Sequence, residues 1–78
     1  MTIDEQLTTV FSNVFRTKIV DTEFQVADIP QWDSLTHIKL IIELESAFSI
    51  SIGPGDIKPL YSDYQTVKNY IRSKLEGS

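Results

Sequence analysis

The sequence contains no cysteine and a single histidine, His37. Without cysteine there is no disulfide framework and no thiolate metal site, and one histidine rules out a multi-histidine metal site. An excess of basic residues is missing too: the formal net charge is −4 and the pI about 4.7. That balance argues against nucleic-acid binding, where a basic face supplies most of the affinity, and favours partners with basic surfaces. No stretch approaches the roughly 20 apolar residues of a membrane span. The opening Met1-Thr2-Ile3-Asp4-Glu5 is acidic and polar. It lacks the marks of a signal or transit peptide, so the expectation is a cytoplasmic chain. There is no internal repeat and no low-complexity run.

What remains is 78 residues, 41% hydrophobic and 23% charged, which fits one small globular domain over residues 1–78. Such a chain buries one modest core and is marginally stable. Apolar residues at Ile3, Leu7, Val10, Phe11, Val14 and Phe15 follow helical spacing. Thr2 with Glu5 reads as a capping box at the start of that helix, and Asp4 and Glu5 suit the positive end of its dipole. From residue 16 to residue 33 the periodicity is lost. Val20, Phe24, Val26 and Ile29 stand there as spaced apolar anchors, and Pro30 makes Ile29 extended. A long ordered connection of this kind is often functional.

A second helix is predicted from Asp33-Ser34 to about Phe48. With Leu35 at 0° and steps of about 100°, Leu40, Ile41, Leu44 and Phe48 fall between about 140° and 240° and form a core stripe. Leu35, Ile38 and Ile42 lie beside it, while Thr36, Lys39, Glu43 and Ser46 fill a polar arc. The apolar arc is wider than a bundle helix needs, so part of it is free to face a partner or cargo. Gly53-Pro54-Gly55 then forces a turn. Asp56 is placed as the cap of a short helical piece through Ile57, Leu60 and Tyr61, with Pro59 in a first turn. Ser62 with Gln65 reads as a second capping box. The last helix carries Tyr64, Val67, Tyr70, Ile71 and Leu75 on one face, with Arg72 and Lys74 near its negative end. The expected fold is an all-α four-helix bundle, three helices long and one short, with a long first loop.

No nucleophile–base–orienter set is visible. Ser34 with His37, one helical turn on, is the sole local serine–histidine pair, with no third group and no oxyanion hole in view. His37 falls at about 200°, within the core stripe. A neutral, hydrogen-bonded core histidine is the better reading than a catalytic one. The informative string is Trp32-Asp33-Ser34-Leu35. Taken alone, a serine at a helix mouth is usually an N-cap. Here a long loop delivers it to a helix start, a natural seat for a phosphate group, and an apolar stripe follows.

These residues carry a resemblance. Asp33-Ser34-Leu35 is similar to the core signature of the acyl carrier and peptidyl carrier proteins, the phosphopantetheine-binding family. Ile38, Leu40, Ile41, Leu44 and Glu45 match that family's second-helix pattern. Phe48, Ile50, Ile52 and Asp56 match the segment after it, and Thr66-Val67 with Tyr70-Ile71 match its last helix. The resemblance covers essentially the whole chain.

It implies that Ser34 carries covalent 4′-phosphopantetheine, transferred from coenzyme A by a separate phosphopantetheinyl transferase. The arm's thiol then bears an acyl or aminoacyl group as a thioester. On this reading the chain is a monomeric, non-catalytic carrier whose serine needs no base of its own. Its phosphodiester would lie at the helix N-terminus, where free N–H groups favour an anion. Asp33 would serve as recognition acid, as helix cap, or as both. Trp32 would either cover the base of the arm or anchor the loop. Leu35, Ile38, Lys39, Ile42 and Glu45 would face partners, among them a loading ligase and downstream acyl-processing enzymes. Relative to fatty-acid carriers, Thr36 and Lys39 stand where acids are common. Residues 34–48 carry a net −1, against −4 for residues 1–33 and +1 for residues 49–78. The acidity thus lies mostly outside the second helix, which points to a specialised partner set. The competing reading is a carrier-like helical interaction module that is never modified and binds through Leu35, Ile38 and Ile42.

Overall fold

The computed structural model describes residues 2–19 and 21–77. Among them are four α-helices: α1 (Ile3–Phe15), α2 (Ser34–Phe48), α3 (Pro54–Ile57) and α4 (Tyr64–Gly77). A 3-10 turn, Val26–Asp28, interrupts the first loop. The fold is therefore all-α, with three long helices and one short one. No helix among the described residues is long and apolar enough to cross a membrane.

The 3.6-residue spacing read from the sequence is what buries α1 and α2. Leu7, Val10, Phe11 and Phe15 of α1 face inward, as do Leu40, Ile41, Leu44 and Phe48 of α2. Thr2 caps α1 by accepting the Glu5 N–H at 3.1 Å. Both α1 and α2 end on a left-handed residue, Arg16 and Ser49, each with φ 54°. Gln6 Nε2 donates to the Ala47 carbonyl at 2.6 Å, tying the two helices by a polar bond beside their apolar contact.

Phe11 is the centre of the core. Its ring lies 5.3 Å from those of Phe24 and Trp32, 5.5 Å from Phe15 and 5.6 Å from Tyr64. Edge and tilted geometries of this kind add to what burial alone supplies. Two of these rings, Phe24 and Trp32, come from the first loop, so the loop is part of the core. Its backbone is held as well. Val26 N–H donates to Ser62 O at 2.8 Å and Tyr64 N–H to Phe24 O at 2.9 Å, around a single antiparallel bridge between Gln25 and Asp63.

Helix α4 closes the bundle with Tyr64, Val67 and Ile71 buried. Tyr64 also donates to Asp4 Oδ1 at 2.6 Å, and Lys68 pairs with Asp4 Oδ2 at 2.9 Å. The Tyr64 hydrogen bond, then Lys68, hold the Asp4 carboxyl below its ordinary value. Tyr70 donates to Asp56 Oδ2 at 2.8 Å and links α3 to α4. Burial, reinforced by that bond, pushes the Tyr70 hydroxyl up to about 12.

Local details differ from the sequence expectation at four points. Asp63, not Ser62, caps α4, accepting the Thr66 N–H at 2.7 Å, while Gln65 reaches back to Thr22 O. The reason is proximity: Asp63 directly precedes α4, whereas Ser62 gives its carbonyl to the first loop. Helix α3 starts at Pro54 with Gly53 as N-cap, because proline's fixed φ suits a first helical position. Asp56 is thus inside α3, and Pro59 lies beyond its end rather than in a first turn. Ile19 is buried in the loop, an anchor the spacing argument passed over. Val20, taken as such an anchor, lies outside the described residues.

Because Phe11 touches four rings from three parts of the chain, its removal opens a cavity that no neighbour can fill. Phe11→Ala should cost about 3–5 kcal/mol, against a total of roughly 5–15 kcal/mol for a domain. Urea denaturation should show the variant's midpoint well below that of the wild type.

Candidate functional site

Asp33 has extended backbone and accepts the Thr36 N–H at 2.8 Å, so it is the N-cap of α2. Ser34 is therefore the first helical residue, one place inside the position a capping serine would hold. The cap function belongs to the acid and leaves the serine free. Ser34 is exposed, and among the described residues its hydroxyl makes no hydrogen bond. The Thr36 backbone hydrogen bond, followed by the Thr36 side chain, holds the Asp33 carboxyl below the usual range.

Of the N–H groups at this helix start, Asp33 Oδ1 takes that of Thr36.

Behind Ser34 the frame is rigid and buried. Trp32 is 2% exposed and His37 3%. The indole N–H of Trp32 donates to His37 Nδ1 at 3.0 Å, and His37 Nε2 lies 2.7 Å from the Ile57 carbonyl. An indole nitrogen can only donate, so Nδ1 must be the acceptor and Nε2 must carry the proton. Tyr61 covers the pair: its ring is 5.0 Å from that of His37, and its hydroxyl donates to Trp32 O at 3.2 Å. First loop, α2 and the segment around α3 thus meet at one imidazole, within one turn of Ser34.

The Trp32 ring lies inside the core and ties the loop to α2. His37 is a core histidine, as its place on the helix map indicated. Both its ring nitrogens are engaged, so it is unavailable as a base for Ser34. Its partner Ile57 had no signal in the sequence, since a backbone carbonyl looks the same in every residue.

The other site residues divide. Leu35, Ile38 and Ile42 are 80%, 45% and 58% exposed and form an apolar crest along α2 beside Ser34. Lys39 is exposed on the adjoining arc. Glu45 is partly buried, and its Oε2 accepts the Ile52 N–H at 2.9 Å, which braces the turn after α2. No family model matches the chain, and a search of curated proteins finds no match.

Burial holds the His37 imidazole below its ordinary value of 6.5, against an opposing effect from the Ile57 bond. The folded state therefore favours the neutral ring. Stability should be full above about pH 6.5 and fall as pH drops from there toward the folded-state value. The carboxyls of Asp4, Asp33 and Asp63 sit below their ordinary 3.8 and titrate in a lower window. The urea midpoint of the wild type should thus decline between about pH 7 and about pH 5. His37→Gln, which can still accept from Trp32 and donate to Ile57, should show a flat profile there.

Proposed function

We propose that the chain is a carrier of the acyl carrier and peptidyl carrier type. Ser34 is the attachment point for 4′-phosphopantetheine. Its oxygen forms a new bond to phosphorus at the pyrophosphate of coenzyme A. The bond to the nucleotide half breaks, that half leaves with its own phosphates, and the serine proton passes to the transferase. The bound arm supplies a thiol on which an acyl or aminoacyl group rides as a thioester. The chain's own residues do the presenting. Asp33 fixes the start of α2, and Trp32 and His37 hold the loop behind it. Leu35, Ile38 and Ile42 offer an apolar surface to a loading ligase and downstream enzymes.

One observation carries this reading. An exposed serine, with no hydrogen bond among the described residues, stands on the first residue of a helix whose cap is supplied by its neighbour. Nearby apolar side chains remain in solvent at a cost in burial free energy that packing alone does not explain. The first-helix position does not ask for serine, since Asp33 already satisfies the helix end.

Incubation of the purified chain with coenzyme A and a broad-specificity phosphopantetheinyl transferase should raise its intact mass by one phosphopantetheine group. Ser34→Ala should fold with unchanged circular dichroism and gain nothing. An unmodified wild type would instead favour the interaction module that works through the α2 crest alone.

A further inference from the structure

We infer that the groove between α1 and α2 is a docking site for a partner helix that presents apolar side chains flanked by carboxylates. This rests on the carrier reading in that the partner is one of the enzymes served by Ser34. The groove holds about 400 Å³ and is lined by Asn13, Val14, Arg16, Lys39, Ile42 and Glu43. Its apolar members are Val14 and Ile42, and Ile42 continues into the exposed crest of Leu35 and Ile38. A groove with apolar side chains from two helices, Val14 and Ile42, suits the helix-in-groove mode of recognition.

Charge selects the occupant. The chain as a whole is at −4, yet this groove has two cations against one carboxylate. Of the two acids on α2, Glu45 is held by the Ile52 N–H and only Glu43 faces the groove. Among the described residues the ion pair is Lys68 with Asp4, and neither Arg16 nor Lys39 has a carboxylate within pairing distance. Arg16 also occupies a left-handed helix end, φ 54°, where glycine is strongly preferred. A guanidinium at the end of α1 suits the helix dipole, but the dipole does not ask for an apolar groove beside it. An anionic bilayer fits poorly, because the remaining negative charge of the chain would be repelled by its surface. A helix senses only the local field, which falls off within about 10 Å at ordinary salt.

The test uses the full chain, labelled with ¹⁵N, and two synthetic amphipathic peptides. Both carry leucines at i, i+3, i+4 and i+7; one is flanked by glutamates, the other by lysines. The glutamate peptide should shift the amides of Asn13, Arg16, Lys39 and Ile42, more weakly as salt rises, and the lysine peptide should not. The double variant Arg16→Glu with Lys39→Glu, its fold checked by the dispersion of the same spectrum, should bind the glutamate peptide about tenfold more weakly or worse. Equal binding of the lysine peptide, an unchanged double variant, or no shift at the groove with either peptide would overturn the inference. Preferred binding to phosphatidylglycerol vesicles, or self-association through the groove, would overturn it too. Ser34→Ala should bind the glutamate peptide like the wild type. A phosphopantetheinylated chain with a silent groove therefore removes the docking inference alone, and an unmodified chain with a working groove removes the carrier reading alone.

Discussion

A single buried hydrogen bond, from the Trp32 indole to His37 Nδ1, sets the geometry on which the rest of the molecule depends. A polar pair in a core this small is costly unless every donor and acceptor is matched. Here each is: the indole N–H has the imidazole, and the imidazole N–H has the Ile57 carbonyl. No buried side-chain polar atom among the described residues is left without a partner. The bond joins the last turn of the first loop to α2 and, through Ile57, to α3. The residues between its ends, 33–36, are thereby fixed while remaining at the surface.

That arrangement divides the helix start in two. Below it lie aromatic rings and one neutral imidazole. Above it, at the surface, lies a serine that the frame does not use. Asp33 is the hinge between them, since its carboxylate is taken up by the first turn of α2. A negative charge consequently stands beside Ser34. The charge pattern across α2 follows the same division. Glu45 is turned inward to brace the backbone, and Lys39 is left facing solvent next to the apolar crest. The exposed face of α2 is thus more apolar and less acidic than the net charge of the chain suggests.

Much of this was legible in the sequence because it rests on periodicity. The i, i+3, i+4 spacing in α1 and α2 placed Leu7, Phe11, Leu40 and Leu44 in the core, and the angular position of His37 placed it there too. Asp33-Ser34-Leu35 marked the start of α2 to within one residue. What was not legible depends on tertiary partners. Trp32 could equally have been inside or outside, because its string sits in a loop with no period. Glu45 read as a surface acid because nothing local signals a bond to a backbone N–H seven residues on. The capping residue was displaced by one position at α4, where Ser62 and Asp63 both had the right chemistry and loop geometry chose between them, whereas the capping role of Asp33 at α2 was readable. Arg16 gave no sequence signal at all, since a left-handed conformation at a non-glycine residue shows only in the backbone.

The central claim is that Ser34, and no other hydroxyl, is the point of attachment. Trypsin cleavage after Lys18 and Lys39 releases residues 19–39, in which Ser34 is the only serine. After loading with coenzyme A and a transferase, tandem mass spectrometry of this peptide should place the phosphopantetheine group on Ser34. A group found on any other residue, or a peptide that stays unmodified under conditions that load a known carrier, would contradict the account.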